Sequence, residues 1–374
     1  MVRIVVVLPP AKTSHEIETL RAIPNSHLII VADHKHHPYA THPVGSWRIP
    51  WLGSPRRWTA ALAWLRGLRT IDLNIDGNPP DLLISFELFS VTTRQAARLA
   101  RTWNIPHFAY VAEVLDSNPL YKLPPWRGNA RRSVRQLDGV ICLNQAGARH
   151  ATAQGMNPDR IITVSPGVDT EIFRPREDSS KDRPLVAISV GELRDDKGVL
   201  DVIASADAAL PRLPSGFRLV LVGDGPLKAA VDRLADSRPW LNVLGRIPRE
   251  DVASELRAAG VFILTPHSRP FWVEQFGFAV VEAMACGLPV VVTSCGALQE
   301  VVPDHNPIVP EGDVNAIANG LLAALGPNGD DWGRRNLLAA KDRYDLITQG
   351  ERLKTALREM LKSPAAGAKK NQGP

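Results

Sequence analysis

Two glutamates, Glu274 and Glu282, lie eight positions apart on either side of a predicted helix start. Gly277 opens that helix, so the backbone N–H groups of Gly277, Phe278 and Ala279 have no partner inside it. These amides and the helix dipole form a site for phosphate or another anion. Carboxylates accept hydrogen bonds from sugar hydroxyls. The spacing therefore predicts a phosphorylated sugar as ligand; the alternative is an exposed loop glutamate and a solvated helix glutamate.

A second group of residues suits phosphate binding and lies between a predicted strand at 185–190 and the helix after it. Gly191 follows the strand and lets a ligand approach the backbone. Lys197 and Gly198 precede the helix, and lysine supplies a mobile point charge. The pattern predicts a diphosphate site, and the alternative is a solvated turn over 194–197.

Short apolar runs that alternate with helical segments predict the elements that carry these residues. The predicted strands in the first half are 3–8, 27–32, 81–86, 107–111, 138–143 and 161–164, and those in the second half include 185–190, 219–222, 260–264 and 290–293. The predicted helices include 14–22, 92–103, 278–285, 313–325, 332–344 and 347–361. This order is typical of doubly wound parallel α/β sheets, whose ligands lie beyond the carboxyl ends of the strands.

Two further acids follow predicted strands in the first half. Glu87 comes after strand 81–86, and Glu113 follows strand 107–111 by two positions. Both are predicted to point at the crevice beside the carboxyl edge, where ligands of such sheets bind. Acids at strand ends are also common turn formers and helix caps, so that alternative stays open.

Composition places the chain among globular proteins of two domains, since it has 374 residues and a net charge of +5. No apolar run is long enough to span a membrane, and the N-terminus is typical of a first strand rather than a signal peptide. Cys142, Cys286 and Cys295 are too few and too irregular for a disulfide framework or zinc site. We expect a cytoplasmic protein; the mild positive charge fits anionic donors or an anionic membrane surface and is weak evidence for nucleic acid.

Two segments of the first half have alternative interpretations. The stretch 33–57 is rich in histidine, but no carboxylate or cysteine at ligand spacing supports a metal site, so a surface loop is favoured. The predicted helix 58–68 carries Trp and Arg, which suits a membrane interface. A core-facing helix with a solvated basic face is the favoured interpretation.

The stretch from Glu274 onward, E-x7-E with FGFAVVEAMACGLPVV, resembles the donor-binding signature of retaining GT-B glycosyltransferases of family 4. The resemblance also covers VSPGVDTEIFRP at 164–175 and is weaker in the first third of the chain. It implies two Rossmann-like domains facing across a cleft. The implied division is an acceptor-binding domain over 1–175, a linker over 176–183, a nucleotide-sugar-binding domain over 184–345, a helix over 346–362 that crosses back, and a disordered tail over 363–374.

The resemblance also implies roles for the residues above. Lys197 would neutralise the leaving diphosphate, Glu274 would hold the sugar hydroxyls, and Glu282 would hold the ribose. Glu192 stands where the family usually has an arginine. Either Arg194 or Arg269 would then supply the missing charge.

Further positions match the family more loosely. Gly223 lies in the family's turn before a helix, and Arg246 and Ile247 lie in the segment whose backbone meets the nucleobase. Ala112 stands where many members have a histidine, and the resemblance implies that Glu113 takes over that substrate contact. The first loop, at 9–12, contains prolines instead of the usual glycines.

The implied activity is metal-independent, retaining transfer of a hexose from a nucleotide-diphosphate sugar to a sugar, lipid or small-molecule acceptor. Lys197, Glu274, Arg194 and Glu113 are the expected catalytic residues. No cofactor beyond the donor and no nucleic-acid partner is expected, while the acceptor and the oligomeric state are not assigned. The alternatives are a nucleotide-sugar-binding protein with impaired catalysis and a GT-B epimerase or phosphorylase.

Overall fold

The computed structural model describes residues 1–8, 15–32, 42–43, 79–115, 118–122, 126–177 and 183–362. The first loop at 9–12, nearly all of segment 33–57, the predicted helix 58–68, most of the predicted linker 176–183 and the tail 363–374 lie outside these residues. The chain divides into two compact units. One comprises residues 1–166 together with the chain from Ile347 onward, and the other is Gly167–Leu346.

The first unit is built on a parallel sheet of seven strands. They are β1 (Val2–Val7), β2 (Ser26–Ala32), β3 (His42–Pro43), β4 (Leu82–Phe86), β5 (His107–Val111), β6 (Gly139–Cys142) and β7 (Ile161–Thr163). Its described helices are α1 (His15–Arg21), α2 (Val91–Trp103), α3 (Trp126–Val134) and α4 (Gln145–Ala153). The spatial order β3-β2-β1-β4-β5-β6-β7 shows that the chain builds one edge from β1, returns beside it and builds the other, so the sheet is doubly wound.

The second unit repeats this plan with six parallel strands. They are β8 (Val186–Val190), β9 (Arg218–Val222), β10 (Leu241–Gly245), β11 (Val261–Leu264), β12 (Val290–Thr293) and β13 (Ile308–Val309), in the order β10-β9-β8-β11-β12-β13. The helices of this unit are α5 (Val199–Ala209), α6 (Lys228–Asp236), α7 (Arg249–Ala258), α8 (Phe278–Ala285), α9 (Leu298–Val301), α10 (Val314–Leu325) and α11 (Gly329–Tyr344). The next helix, α12 (Leu346–Lys362), belongs to the first unit from Ile347 onward. Strands β11 and β12 are apolar and buried along their whole length, as expected where helices cover both faces of a parallel sheet. The doubly wound α/β class predicted for both halves is confirmed.

The point where the second sheet changes direction lies between β8 and β11, which pair through Ala187 and Val261. The loops after these two strands therefore meet at the carboxyl edge. Thr265 Oγ1 donates to the carbonyl oxygen of Gly198 at 2.8 Å, and the amide of His267 donates to the carbonyl oxygen of Asp196 at 2.9 Å. This switch point is the place where open α/β sheets bind ligands.

Helix α12 packs into the first unit. Arg160 Nη1 donates to the carbonyl oxygen of Met360 at 3.3 Å. Gly350 lies so close to α1 that an added Cβ would be 2.3 Å from the carbonyl oxygen of Ala22. None of the described helices is both long and apolar enough to cross a membrane.

The predicted helix 278–285 and strands 107–111 and 290–293 are confirmed at both ends. Helix α3 is not predicted, because its sequence WRGNARRSV has few apolar residues and therefore no clear helical period. The polar helix α7 escapes prediction for the same reason, and β3 is only two residues long.

Candidate active site

The loop after β8 is held in shape by two glycines at the switch point. Gly198 has φ +69°, and a Cβ there would lie 1.7 Å from the carbonyl oxygen of Thr265. Gly223, after β9, has φ +141°, and a Cβ there would lie 1.8 Å from the carbonyl oxygen of Gly191. Gly191 itself has open space where its Cβ would be. The backbone therefore presents an accessible surface at Gly191, as a diphosphate site requires.

Lys197 and Glu274 meet directly, although 77 positions separate them in the sequence. Lys197 Nζ donates to Glu274 Oε2 at 2.7 Å, and the two side chains are 23% and 11% exposed. The same Nζ lies 4.6 Å from the centroid of the Trp272 ring. A carboxylate and an indole face thus fix one partly desolvated positive charge at the predicted phosphate position. Trp272 is a site residue that sequence reasoning missed.

Both candidate replacements for the family arginine are bound to acids. Arg194 Nε donates to Asp196 Oδ1 at 2.8 Å, a second ion pair links these two side chains, and Arg194 Nη1 lies 3.1 Å from Glu192 Oε2. Arg194 Cζ is also 5.8 Å from the Trp272 ring centroid, so Arg194 and Lys197 share one aromatic neighbour.

Arg269 is placed differently. Its guanidinium forms an ion pair with Asp195, and its side chain is 44% exposed. Its backbone N–H donates to the carbonyl oxygen of Trp272 at 2.7 Å, which closes the loop between β11 and α8. The structure therefore brings Arg194, rather than Arg269, to the same ring as Lys197.

The start of α8 retains the features of an anion site. Gly277 is the N-cap residue, with φ +85°. The amides of Gly277 and Ala279 donate to no acceptor among the described residues. The loop before the helix is fixed at Glu274, whose carbonyl oxygen accepts from the Ala297 amide at 2.8 Å. These free amides lie three and five positions beyond a carboxylate that already holds Lys197.

Glu282 lies on α8 and is 6% exposed, while Glu274 is 8% exposed. Both values exclude the alternative of solvated glutamates. Glu282 Oε1 lies 3.7 Å from Arg249 Nη2, and burial raises the pKa of Glu282 to about 7 against the opposing effect of Arg249. The Arg249 guanidinium also lies 5.0 Å from the Phe173 ring centroid. Arg249 begins a polar helix and carries no sequence signal of its role.

The remaining predicted donor residues follow neighbouring strands at the same edge. The Gly223 amide donates to the carbonyl oxygen of Gly245 at 2.7 Å, which ties the ends of β9 and β10 together. Arg246 and Ile247 come directly after β10; Arg246 is exposed and Ile247 is half-buried. The segment predicted to meet a nucleobase is thus at the carboxyl edge of the sheet.

In the first unit, Glu87 and Glu113 are buried at the ends of neighbouring strands. Glu87 has φ +65° and accepts from the Ala112 amide at 3.2 Å. Glu113 accepts from the Leu115 amide at 2.8 Å and from Asn118 Nδ2 at 2.6 Å. Burial raises the pKa of Glu113, and the neighbouring Glu87 charge raises it further against these hydrogen bonds. Both carboxylates brace the loop after β5, the alternative that the sequence left open.

Comparison with known proteins matches both halves of the chain to one kind of enzyme. The family described as "Glycosyl transferase 4-like domain" matches residues 5–167. The family described as "Glycosyl transferases group 1" matches residues 170–330. The second match contains Lys197, Glu274 and Glu282.

Individual relatives agree with these matches. The chain is 27% identical over 310 residues to alpha-maltose-1-phosphate synthase of Mycolicibacterium smegmatis, covering 66% of this chain and 77% of the relative. It is 35% identical over 199 residues to D-inositol 3-phosphate glycosyltransferase of Acidothermus cellulolyticus. That match covers 46% of this chain and 43% of the relative, so the chain spans less than half of the relative's length.

A solved structure supports the same fold over nearly the full length. The crystal structure of Anabaena Alr3699/HepE in complex with UDP is similar with a TM-score of 0.71 at 18% identity, and the similarity covers 96% of this chain and 100% of that chain. Together, these matches cover both sheets and the residues at the switch point of the second. The chain belongs to the glycosyl transferases group 1 family and is a glycosyltransferase with the GT-B fold.

Proposed function

We propose that the chain is a retaining glycosyltransferase that moves a hexose from a nucleotide-diphosphate sugar to an acceptor hydroxyl without a metal ion. The observation that carries this proposal is the Lys197–Glu274 ion pair beside Trp272, a few residues before the start of α8. Lys197 can neutralise phosphate, and its ion-pair partner Glu274 can accept hydrogen bonds from hydroxyl groups. A ligand that satisfies both is a sugar joined to a phosphate.

In this mechanism, charge builds on the leaving diphosphate as the sugar–oxygen bond breaks. Lys197, the amides at the start of α8 and Arg194 stabilise that charge, and groups fixed in advance are the most effective. Glu274 accepts from the sugar hydroxyls, while Glu282 accepts from the ribose. Neither a metal ion nor a cofactor is required for this charge balance.

The proposal for the donor base and the acceptor uses the segment at Arg246 and Ile247 and the names of similar proteins. Backbone contacts at Arg246 and Ile247 leave the base unspecified, although the similar Anabaena structure contains UDP. Relatives named for maltose 1-phosphate and D-inositol 3-phosphate support a sugar or small-molecule acceptor. Glu87 and Glu113 would form the acceptor side, with Glu87 positioning the loop that carries Glu113. The three cysteines are free and buried, which suits a reducing cytoplasm.

One observation favours a second candidate, a donor-binding protein with impaired catalysis. The Arg194 guanidinium is already engaged by Glu192 and Asp196, so its charge is partly neutralised before any phosphate arrives. In that case the donor would bind, but the diphosphate would not leave.

The experiment that separates the two is release of nucleoside diphosphate by pure protein from a panel of UDP-, GDP- and ADP-hexoses, with simple sugars and polyols as acceptors. We expect release from at least one donor, loss of release in Lys197→Ala, and a product whose anomeric configuration by NMR matches the donor. Tight donor binding without release from any donor would favour the second candidate. An inverted product would contradict the retaining mechanism.

A further inference from the structure

The described surface of the first unit carries a concentrated group of arginines on α2, on α3 and just after α3. The seven residues are Arg94, Arg98, Arg101, Arg127, Arg131, Arg132 and Arg135. The sequence has no aspartate or glutamate over 88–112 or over 118–137. We call this group the α2–α3 arginine face.

Helical spacing places six of these seven arginines in two adjacent stripes. Residues three and four positions apart lie on one side of a helix. This spacing relates Arg94, Arg98 and Arg101 in the first stripe, and it relates Arg127, Arg131 and Arg135 in the second. Arg94 Nη1 donates to Asn129 Oδ1 at 2.7 Å, which ties α2 to α3. The opposite sides of the helices are buried at Ala96, Ala100 and Ser133. Both stripes therefore face away from the core on neighbouring helices.

No described carboxylate forms an ion pair with any of the seven arginines, and all except Arg94 are exposed. Exposed or half-exposed arginines elsewhere do have acidic partners, such as Arg269 with Asp195 and Arg334 with Asp331. Burial lowers the pKa of Arg94, and the charges of Arg132 and Arg98 lower it further. Like charges are thus held close together at a cost in free energy, which an anionic partner would relieve.

The face suits a planar anionic surface better than a protein partner. Over 92–103 and 127–134, where the structure describes the side chains of α2 and α3, there is no exposed large apolar side chain, whereas protein interfaces depend on aromatic and aliphatic anchors at their centre. Clusters of four to eight basic residues on amphipathic helices are typical of binding to anionic lipid. We propose that the α2–α3 arginine face docks the protein onto an anionic lipid bilayer. The proposal does not depend on the donor chemistry.

The test is sedimentation of the full chain with vesicles of phosphatidylcholine containing one-third phosphatidylglycerol, compared with phosphatidylcholine alone. The variant Arg98→Glu/Arg131→Glu/Arg135→Glu reverses three exposed charges of the face. The matched control, Arg352→Glu/Arg358→Glu/Lys362→Glu, changes the net charge equally at exposed positions of α12 in the same unit. Thermal melting and calorimetric binding of UDP and GDP confirm that each variant is folded and that the second unit is intact.

We expect the wild type and the control to bind anionic vesicles only, with binding that weakens above about 0.1 M salt as the Debye length falls below about 10 Å. The face variant should lose about a hundredfold in affinity, since each basic residue near such a surface contributes about fivefold and three are replaced. Equal binding to neutral vesicles, or equal loss in the control, would overturn the proposal. Tighter binding to single-stranded RNA at matched phosphate concentration, with the same arginine dependence, would assign the face to nucleic acid instead.

Discussion

Lys197 Nζ lies 2.7 Å from Glu274 Oε2, so the residue predicted to bind phosphate and the residue predicted to bind sugar hydroxyls hold each other in place. The pair joins the loop after β8 to the loop after β11 at the switch point. Each side chain is therefore oriented before a donor arrives, and a change in one alters the charge felt by the other. The proposed donor site is organised around this contact.

Replacement of Lys197 by alanine should weaken both donor binding and turnover. A charge-assisted contact to phosphate is worth about 1.5–3 kcal/mol, so kcat/KM should fall by about ten- to a hundredfold. Lys228→Ala is the matched control, since Lys228 pairs with Asp232 at 2.6 Å on α6 and is similarly half-exposed. Steady-state kinetics of both variants check the prediction, and unchanged values for Lys197→Ala would show that Lys197 does not contact the phosphates of the donor.

Trp272 should act as a positioning residue for Lys197 and Arg194, because its ring centroid lies 4.6 and 5.8 Å from their charged groups. Trp272→Ala should lower kcat about tenfold, since a cation–π contact is worth about 0.5–2 kcal/mol, whereas Trp272→Phe should retain most of the activity. Phe271→Ala is the control, because Phe271 is adjacent and 57% exposed. Equal losses in the alanine and phenylalanine variants of Trp272 would contradict a role for the aromatic face.

Glu282 should make stability depend on pH. Burial raises its pKa from 4.5 to about 7, so between these values the folded chain keeps a proton that the unfolded chain has lost. The stability that this proton contributes is present below about pH 4.5 and is lost as pH rises through about 7. The glutamine of Glu282→Gln does not titrate in this range. The free energy of unfolding of the variant, relative to the wild type, should therefore rise by about 2–3 kcal/mol from pH 5 to pH 8. Urea unfolding of both proteins at pH 5 and pH 8 measures this rise. If variant and wild type differed in unfolding free energy by the same amount at both pH values, the carboxylate would be ionised in the folded chain.

Chelation of divalent metal should leave transfer intact. The proposed charge balance comes from Lys197, Arg194 and the start of α8, and the sequence of the second unit has no Asp-x-Asp at a strand end. The rate of nucleoside diphosphate release is measured with and without EDTA. Activity that disappears in chelator and returns with manganese or magnesium would overturn the metal-free mechanism.

Most of the second unit could be predicted from its sequence, because its buried strands are uninterrupted apolar runs and its turns are marked by glycine. The short runs VFIL and VVVT, for example, are rich in β-branched residues and form buried strands as predicted. Glycines such as Gly198 and Gly277 mark positions where the backbone has positive φ. The E-x7-E spacing then places both acids beside the helix start.

The partners of these residues could not be predicted, because they come from distant parts of the chain. Nothing in the sequence near Arg249 indicates that it lies beside Glu282, since helix α7 has a polar surface and no apolar period. The acids that bind Arg194 and Arg269 all lie within 192–196 and resemble an ordinary solvated turn. The contact of Arg269 with Asp195, 74 positions away, arises only because the β8 and β11 loops meet.

The most direct test of the account is calorimetric binding of the bare nucleoside diphosphate to Glu274→Gln and Glu282→Gln. Glu282 is proposed to contact the ribose, which this ligand contains, so its replacement should weaken binding. Glu274 is proposed to contact the sugar, which this ligand lacks, and its replacement leaves Lys197 charged and available to phosphate. We therefore predict weaker binding in Glu282→Gln and unchanged or slightly tighter binding in Glu274→Gln. Equal losses in both variants, or no loss in either, would contradict the assignment of the two carboxylates to different parts of the donor.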